Sequence, residues 1–532
     1  MIHSTRGVRG MAVAPHSLAA QSALAVLREG GNALEAAIAC AATAAVAYPH
    51  MNSIGGDSFW LVSVPGQAPR AIDACGAAAA AASAQWYAAR GVTAQLPARG
   101  PLAALTVAGT ISGWELAFGM ARQLGGKMPL SRLLADAIDY AIRGVPVCES
   151  LARSISTKRD ELAPQPGFAE LFLPGGDAPP IGGRLMQPRL AAALHHLSDV
   201  GLDAFYRGDL ARSIASDLER LGSPIALNDL IVHRARWRAP LQLAHRRGAV
   251  YNLPPPTQGL VSLLILGQLD ALGIDSLAHD DPRFVHLVVE ATKQAFAVKD
   301  RYITDPIYMA VEAQGFLDPA ALRAMAGRIS AERAAPWPSL PGPGDTVWMG
   351  VIDDAGRAVS CIQSVYHEFG SGIVLGESGI NWQNRGVSFS LESDALNRLM
   401  PGRKPFHTLN PALAQLNDGR TVVYGTMGGD GQPQTQAAIF SRYVNFGLDA
   451  QAAIDAPRWR LGRAWGQDSD KLKVEGRFRA ATIDGLRGLG HEIEVLGDYD
   501  ESMGHAGMVV RHANGTFEGG ADPRSNGCVA AF

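Results

Sequence analysis

Between Ala331 and Asp345 the chain reads AERAAPWPSLPGPGD, and this stretch limits the fold more than any other. Four prolines lie between Pro336 and Pro343. Proline has a fixed φ and no backbone N–H, so the segment is expected to be extended, exposed and excluded from a sheet interior. It gives way abruptly to TVWMGVID, an apolar, β-branched run of strand character. The boundary falls at Asp345–Thr346. Helical patterns dominate before it and strand patterns after it.

In the first part, Ser17 to Glu29 reads as an amphipathic helix stopped by Gly30–Gly31. Asn32 and Glu35 form a capping-box pattern ahead of the apolar run Ala33 to Tyr48. That run contains Glu35 and is too short to span a bilayer, so it reads as a buried helix. A strand is predicted over Ser58 to Val64, following Gly55–Gly56. Further helices are predicted over Leu105 to Leu124, Leu130 to Arg143, Arg189 to Leu197, Gly208 to Leu221, Thr257 to Leu272 and Pro282 to Thr304. Pro146 to Pro180 is broken by prolines and glycines and is expected to wrap the surface.

After Thr346 the run TVWMGVID-DAG-RAVSCIQSVY is a hairpin pattern around a short Asp/Gly turn. Its fold-back puts Ser364 roughly opposite Thr346. A glycine-rich loop follows over Tyr366 to Ile380, then the strand TVVYGT, a helix over Thr435 to Phe446 and a hairpin in GMVVRHANGTFEGGAD. At 532 residues, with 47% hydrophobic and 18% charged residues, the chain is globular and has ample material for a core. One large layered α/β domain built from both parts suits this order better than two independent domains.

Composition narrows the function. Net charge is −3 with no long run of one sign, so nothing points to nucleic acid or a membrane as partner. The five cysteines are scattered and form no CxxC pair, which fits a reducing compartment rather than a disulfide framework or zinc cage. MIHSTRGVRGMAVAPHS has no apolar core of a signal peptide, so a cytoplasmic location is expected. The chain carries no GxSxG, HExxH, P-loop or dinucleotide glycine motif, and no cofactor or metal is expected. His195–His196 are adjacent in a helical stretch and do not share a face. Asp353–Asp354 read as a turn pair.

Two places remain for chemistry. If the backbone breaks between Asp345 and Thr346, Thr346 gains a free α-amine beside its own hydroxyl. Such an amine has a pKa of about 7.7–8.0 and can accept the hydroxyl proton near neutrality. The same pattern also describes an ordinary loop running into a strand. Gly428 and Gly429, in TMGGDGQPQTQ, lie between a strand and a helix, where backbone N–H groups can face an oxyanion. A plain strand-to-helix connection reads the same way.

Taken together, GGNALEAAIA, NSIGGDSFWLV, the Thr346 strand, FGSGIVLGESGI, NPAL, TMGGDGQPQTQ, DAPRWR and ADPRSNG resemble the gamma-glutamyltranspeptidase family of N-terminal nucleophile hydrolases. The resemblance runs through almost the whole chain in the family's order. It implies an α+β fold, a four-layer αββα sandwich built from both fragments of a self-cleaved precursor. Residues 1–345 would form the large subunit and 346–532 the small one, a heterodimer that can itself pair. It implies Thr346 as nucleophile, Ser364 as the hydroxyl that orients it, and Gly428–Gly429 as the oxyanion hole.

The departures from the family pattern concern the substrate. Cys75 stands where the resemblance implies a carboxylate-binding arginine. Tyr366 replaces an asparagine, Ser388 an amine-binding aspartate, and His407–Thr408 a serine pair. With Arg385 these residues suit a small anionic amide without an α-amino group, since a guanidinium grips a carboxylate bidentately. Arg385 reads equally as a surface loop charge, and His407 as a packing or capping residue. YHEFGSG, NWQNRG and PFHTLNPAL resemble the branch of the family that hydrolyses oxamate at the end of a purine-nitrogen pathway.

Overall fold

The computed structural model describes residues 3–337, 345–462 and 469–532, without the side chain of Asp345. Residues 338–344, the end of the proline-rich segment, lie outside that set. Residues 331–337 form neither helix nor strand and are largely exposed. They are tethered where the Ala334 N–H donates to the Leu489 carbonyl (2.8 Å) and Lys293 Nζ donates to the Ala335 carbonyl (2.6 Å).

Fourteen strands make two seven-stranded antiparallel sheets. In chain order they are β1 (Thr5–Gly7), β2 (Gly10–Ala14), β3 (Asp57–Ser63), β4 (Arg70–Ala74), β5 (Arg236–Arg238), β6 (Leu241–His245), β7 (Gly248–Asn252), β8 (Asp345–Asp353), β9 (Ala358–Tyr366), β10 (Ala412–Leu416), β11 (Thr421–Thr426), β12 (Ala506–Arg511), β13 (Phe517–Ala521) and β14 (Cys528–Ala531). One sheet has the order β14-β2-β8-β9-β3-β4-β5 and the other β1-β13-β12-β11-β10-β7-β6. Seven of these strands precede residue 345 and seven follow, so both parts of the chain contribute strands to the two sheets. Most of the early strands are short and acquire their character by pairing with later ones.

Helices cover both outer faces. On the first sheet lie α1 (Ser17–Arg28), α2 (Ala33–Ala47) and α3 (Thr110–Gln123), with α4 (Leu130–Arg143) packed on α2. On the second lies α5 (Gly259–Leu272); α6 (Pro282–Tyr302) packs on α5 and on α7 (Gly431–Phe440), which also lies on that sheet. The result is the expected four-layer αββα sandwich, with an apolar core between each pair of layers. Every residue of α2 is buried, and its capping box is formed by Asn32 and Glu35. The Asp353 carboxylate accepts the Ala33 N–H at 2.9 Å, tying the start of α2 to the end of β8. Among the described residues no helix is long and apolar enough to cross a membrane.

Three local expectations need correction. The helix predicted from Leu105 begins only at Thr110, because the N–H groups of Gly109 and Thr110 are taken by the Gly56 carbonyl. Pro146 to Pro180 is not a surface wrap: it carries short helices, and Leu151, Ile155, Leu162, Phe168 and Phe172 enter the core. The helix predicted from Thr435 starts earlier, at Gly431, and continues past Phe440 as one π turn over Ser441–Asn445.

The middle core is organised around Trp348, two residues after Thr346. Its indole lies between the sheets, and Nε1 donates to Ser360 Oγ at 2.9 Å. It fits because β11 and β12 present glycines there: a Cβ on Gly425 would overlap Trp348 Cδ1, and one on Gly507 would overlap Cζ3. Interiors packed this densely do not absorb an added methyl without strain. Gly425→Ala is therefore expected to destabilise the protein by about 1–3 kcal/mol or more. Gly488→Ala, exposed on a helix with open space around it, should be neutral or slightly stabilising. Thermal unfolding of the two variants beside the parent checks this.

Candidate active site

The register of the central hairpin shifts where β8 begins. Asp345 pairs with Tyr366 but Val347 pairs with Gln363, so two residues of β9, Ser364 and Val365, oppose Thr346 in a bulge. A bulge re-aims a side chain relative to the regular ladder. Thr346 is fully buried, and its Oγ1 lies 3.4 Å from Ser364 Oγ. Ser364 Oγ also accepts the Tyr366 N–H at 2.8 Å, which fixes the hydroxyl. On the other side of β9, Ser364 stands directly opposite Asp57 of β3. Directly opposed residues of an antiparallel pair share a face, so Asp57, Ser364 and Thr346 form one row across three strands.

Gly428 and Gly429 sit in the turn from β11 to α7 with φ of +120° and +53°. The first of these is open essentially to glycine alone. Among the described residues neither N–H meets an acceptor within the protein, whereas their carbonyls are engaged. The Gly428 carbonyl accepts from Gly431 N–H (2.8 Å) and the Gly429 carbonyl from Gln432 N–H (3.1 Å). Gln258 Nε2 donates to both the Gly429 carbonyl (2.8 Å) and the Thr408 carbonyl (2.7 Å). One amide group, just ahead of α5, thus ties the glycine turn to the His407–Thr408 segment.

Arg385 is 1% exposed. Its Cζ lies 3.8 Å from the centre of the Tyr366 ring, and Nη1 is 3.5 Å from Thr408 Oγ1. Nε and Nη2 have no hydrogen-bond partner. Burial pulls its pKa down to about 10, which leaves it a cation at neutral pH. Tyr366 holds a φ of +83°, a left-handed conformation that costs a non-glycine residue of order 1–3 kcal/mol. Strain of this kind persists where surroundings enforce it; here the pairing with Asp345 and the stack with Arg385 do so.

His407 is fully buried; burial, then Arg385 and Lys404, hold its pKa well below the ordinary imidazole value, so it is neutral. Phe59 packs edge-on against it at 4.9 Å, and its Nε2 is 3.4 Å from Asp57 Oδ2. Asp57 Oδ1 accepts the N–H groups of Gly76 (3.1 Å) and Gly109 (2.9 Å). Burial nonetheless pushes the Asp57 carboxyl up to about 7. Cys75 does not reach for a ligand: Sγ donates to Asp73 Oδ1 (3.1 Å), and Asp73 is paired with Lys404 (2.7 Å).

The fold therefore gathers Thr346 with Ser364, and Arg385 with Tyr366, Thr408 and the His407–Asp57 pair. Ser388 closes the turn Arg385–Ser388 with a buried, unpartnered Oγ, and its contacts do not join it to the others. Two residues escaped the sequence reading. Asp57 had a usable signal, a carboxylate heading an otherwise apolar strand after Gly55–Gly56. Gln258 had none, since its role depends on where residues 408 and 429 arrive. A separate buried group, His286, Glu290 and His491, has the spacing of a metal site. Its atoms are already engaged, with His286 Nδ1 on His491 Nε2 (2.8 Å) and the Lys293 ammonium on Glu290 (2.6 Å). It clamps residues 330–335 through the Ser330 carbonyl and the Ala335 N–H.

The gamma-glutamyltranspeptidase family model matches residues 19–532. The chain is 56% identical to an oxamate amidohydrolase proenzyme of Klebsiella pneumoniae, over 100% of both chains. It is 39% identical, again over 100% of both, to a glutathione hydrolase-like proenzyme, YwrD, of Bacillus subtilis. Among solved structures, a cephalosporin acylase from Bacillus halodurans superimposes with a TM-score of 0.90 at 31% identity, covering 100% of this chain and 97% of that one.

Removing the Gln258 clamp tests how the glycine turn is held. Gln258→Leu deprives two buried carbonyls of a donor and should cost about 2 kcal/mol or more. Thermal unfolding reads that loss, and steady-state kinetics should show kcat falling more than KM rises.

Proposed function

Since this chain belongs to the gamma-glutamyltranspeptidase family, we propose that it is an amide hydrolase that cuts itself between Asp345 and Thr346. Residues 1–345 and 346–532 are then the two subunits, and the substrate is a small anionic amide, oxamate. The observation that carries this reading is Arg385: a buried cation with Nε and Nη2 unpartnered. A desolvated guanidinium with free donors is costly unless a ligand anion completes it. The full-length identity to an oxamate amidohydrolase proenzyme supports the same choice.

In the proposed reaction the free Thr346 amine takes the proton from its own Oγ1, with Ser364 orienting the hydroxyl. Oγ1 attacks the amide carbonyl, and the N–H groups of Gly428 and Gly429 hold the oxyanion. Arg385, with Thr408 beside it, holds the neighbouring carboxylate, and the Tyr366 ring and neutral His407 shape the walls. The amine returns the proton to the departing nitrogen, ammonia leaves, and an ester on Thr346 remains. Water, deprotonated by the same amine, hydrolyses that ester and frees oxalate. Ser388 and Cys75 supply neither the carboxylate nor the guanidinium that the family resemblance implies for a γ-glutamyl group, so such substrates lack their anchors here.

Intact mass should show the 56.1 kDa chain giving way to two fragments, the smaller beginning at Thr346, while Thr346→Ala stays whole. The processed protein should release ammonia from oxamate. Arg385→Met should raise KM about a hundredfold, as expected when one partner of a buried charge pair is removed. Turnover of a γ-glutamyl anilide with none of oxamate would overturn the substrate assignment.

A further inference from the structure

We propose that Asp57 is a specificity-determining residue of this pocket: it balances the charge of Arg385 when the site is empty, and takes a proton from solvent when a substrate carboxylate arrives. The inference rests on the reading of Arg385 as the carboxylate anchor.

Position comes first. Asp57 lies in the same row as Ser364 and Thr346, so its side chain is on the face where the chemistry would occur. It is fully buried, and the Gly76 and Gly109 N–H groups fix Oδ1. Oδ2 has no hydrogen-bond donor; a neutral imidazole nitrogen stands 3.4 Å away. A carboxylate committed to structure is paired on both oxygens, as Asp73 is with Lys404 and Cys75. Asp57 is held by one oxygen and left open on the other.

The surrounding charges come second. The groups acting on Asp57 from the packed elements are Arg385, Gln383 and the Gly76 and Gly109 amides, and the nearby Cys75 and Tyr206 are both held neutral by burial. Arg385 in turn feels Tyr366, Asp57 and Cys75. Asp57 is therefore the only ionised carboxylate among the described groups that compensates Arg385. A substrate carboxylate on the free Nε and Nη2 would add a second anion to the same buried site. Two anions beside one cation at low dielectric do not both stay ionised, and the protein carboxyl is the one able to protonate near neutrality.

The sign follows from the raised carboxyl. Below about pH 7 Asp57 is neutral, Arg385 is uncompensated and an anion binds well. As pH rises through that value, Asp57 ionises, and KM for oxamate should climb by up to about tenfold per pH unit. KM for oxamide, the neutral counterpart with an amide in place of the carboxylate, should not follow it.

Titration calorimetry of the processed protein with oxalate, in two buffers of different ionisation heat, counts the protons. Wild type is expected to take up close to one proton per oxalate at about pH 7.5–8. Asp57→Asn, which keeps an oxygen for the two glycine N–H groups, is expected to take up about one proton fewer than wild type, any remainder belonging to the Thr346 amine, and to lose the part of the KM rise that sets in above about pH 7. Oxalate binding without proton uptake, or equal uptake by Asp57→Asn, would overturn the role of Asp57 and leave the Arg385 anchor standing. Failure of wild type to bind oxalate or to turn over oxamate would overturn both. If Asp57→Asn does not fold, the wild-type proton count and the oxamate–oxamide comparison still decide.

Discussion

The pairing of β8 between β2 and β9 is the constraint on which the rest of the molecule depends. This strand begins at the end of the proline-rich segment, yet lies third from one edge of a seven-stranded sheet. Its position is held by ladders on both sides and by the Trp348 indole seated between the two sheets. A break in the backbone before Thr346 would leave the ladders of Val347–Asp353 and the Trp348 packing in place. A chain can lose a covalent bond here and keep the side chain in place, because the strand is fixed by pairing and packing rather than by what precedes it.

The strands that hold β8 come from both parts of the sequence, β2 from the first and β9 from the second. The same is true at the glycine turn, where Gln258 reaches from ahead of α5 to carbonyls 150 and 171 residues later. The two regions are therefore one folding unit. Their interface is the interior of a sandwich, not a surface between finished domains.

Buried charge separates structure from chemistry in this protein. Near the C-terminus, Arg458, Arg524, Asp522 and Glu475 form a buried group in which each guanidinium meets a carboxylate, with contacts of 2.6 Å for Arg458–Asp522 and Arg524–Glu475. Both guanidinium groups there meet carboxylates directly, and only Arg458 Nε is left without a partner. Around Arg385 the accounting is incomplete: free donors on the guanidinium, a free oxygen on Asp57 and an unbonded imidazole at His407. Low dielectric makes each open valence costly, so their convergence in one place points to something that binds.

Much of this was legible from residues alone. The proline-rich break, the hairpin after it, the capping box on α2 and the helices over Leu130–Arg143 and Pro282–Tyr302 follow from local rules of backbone geometry and apolar period. So does the approach of Ser364 to Thr346, since a tight hairpin sets its own register. The sequence by itself therefore determined where the proline-rich segment ends and which hydroxyl begins a strand. It did not determine the short early strands, the burial of Phe168 and Phe172, the roles of Gln258 and Asp57, or the state of Arg385. Those depend on partners tens to hundreds of residues away, and on a dielectric environment that exists only once the layers close. Tertiary structure decided them because burial, unlike propensity, is a property of the packed whole.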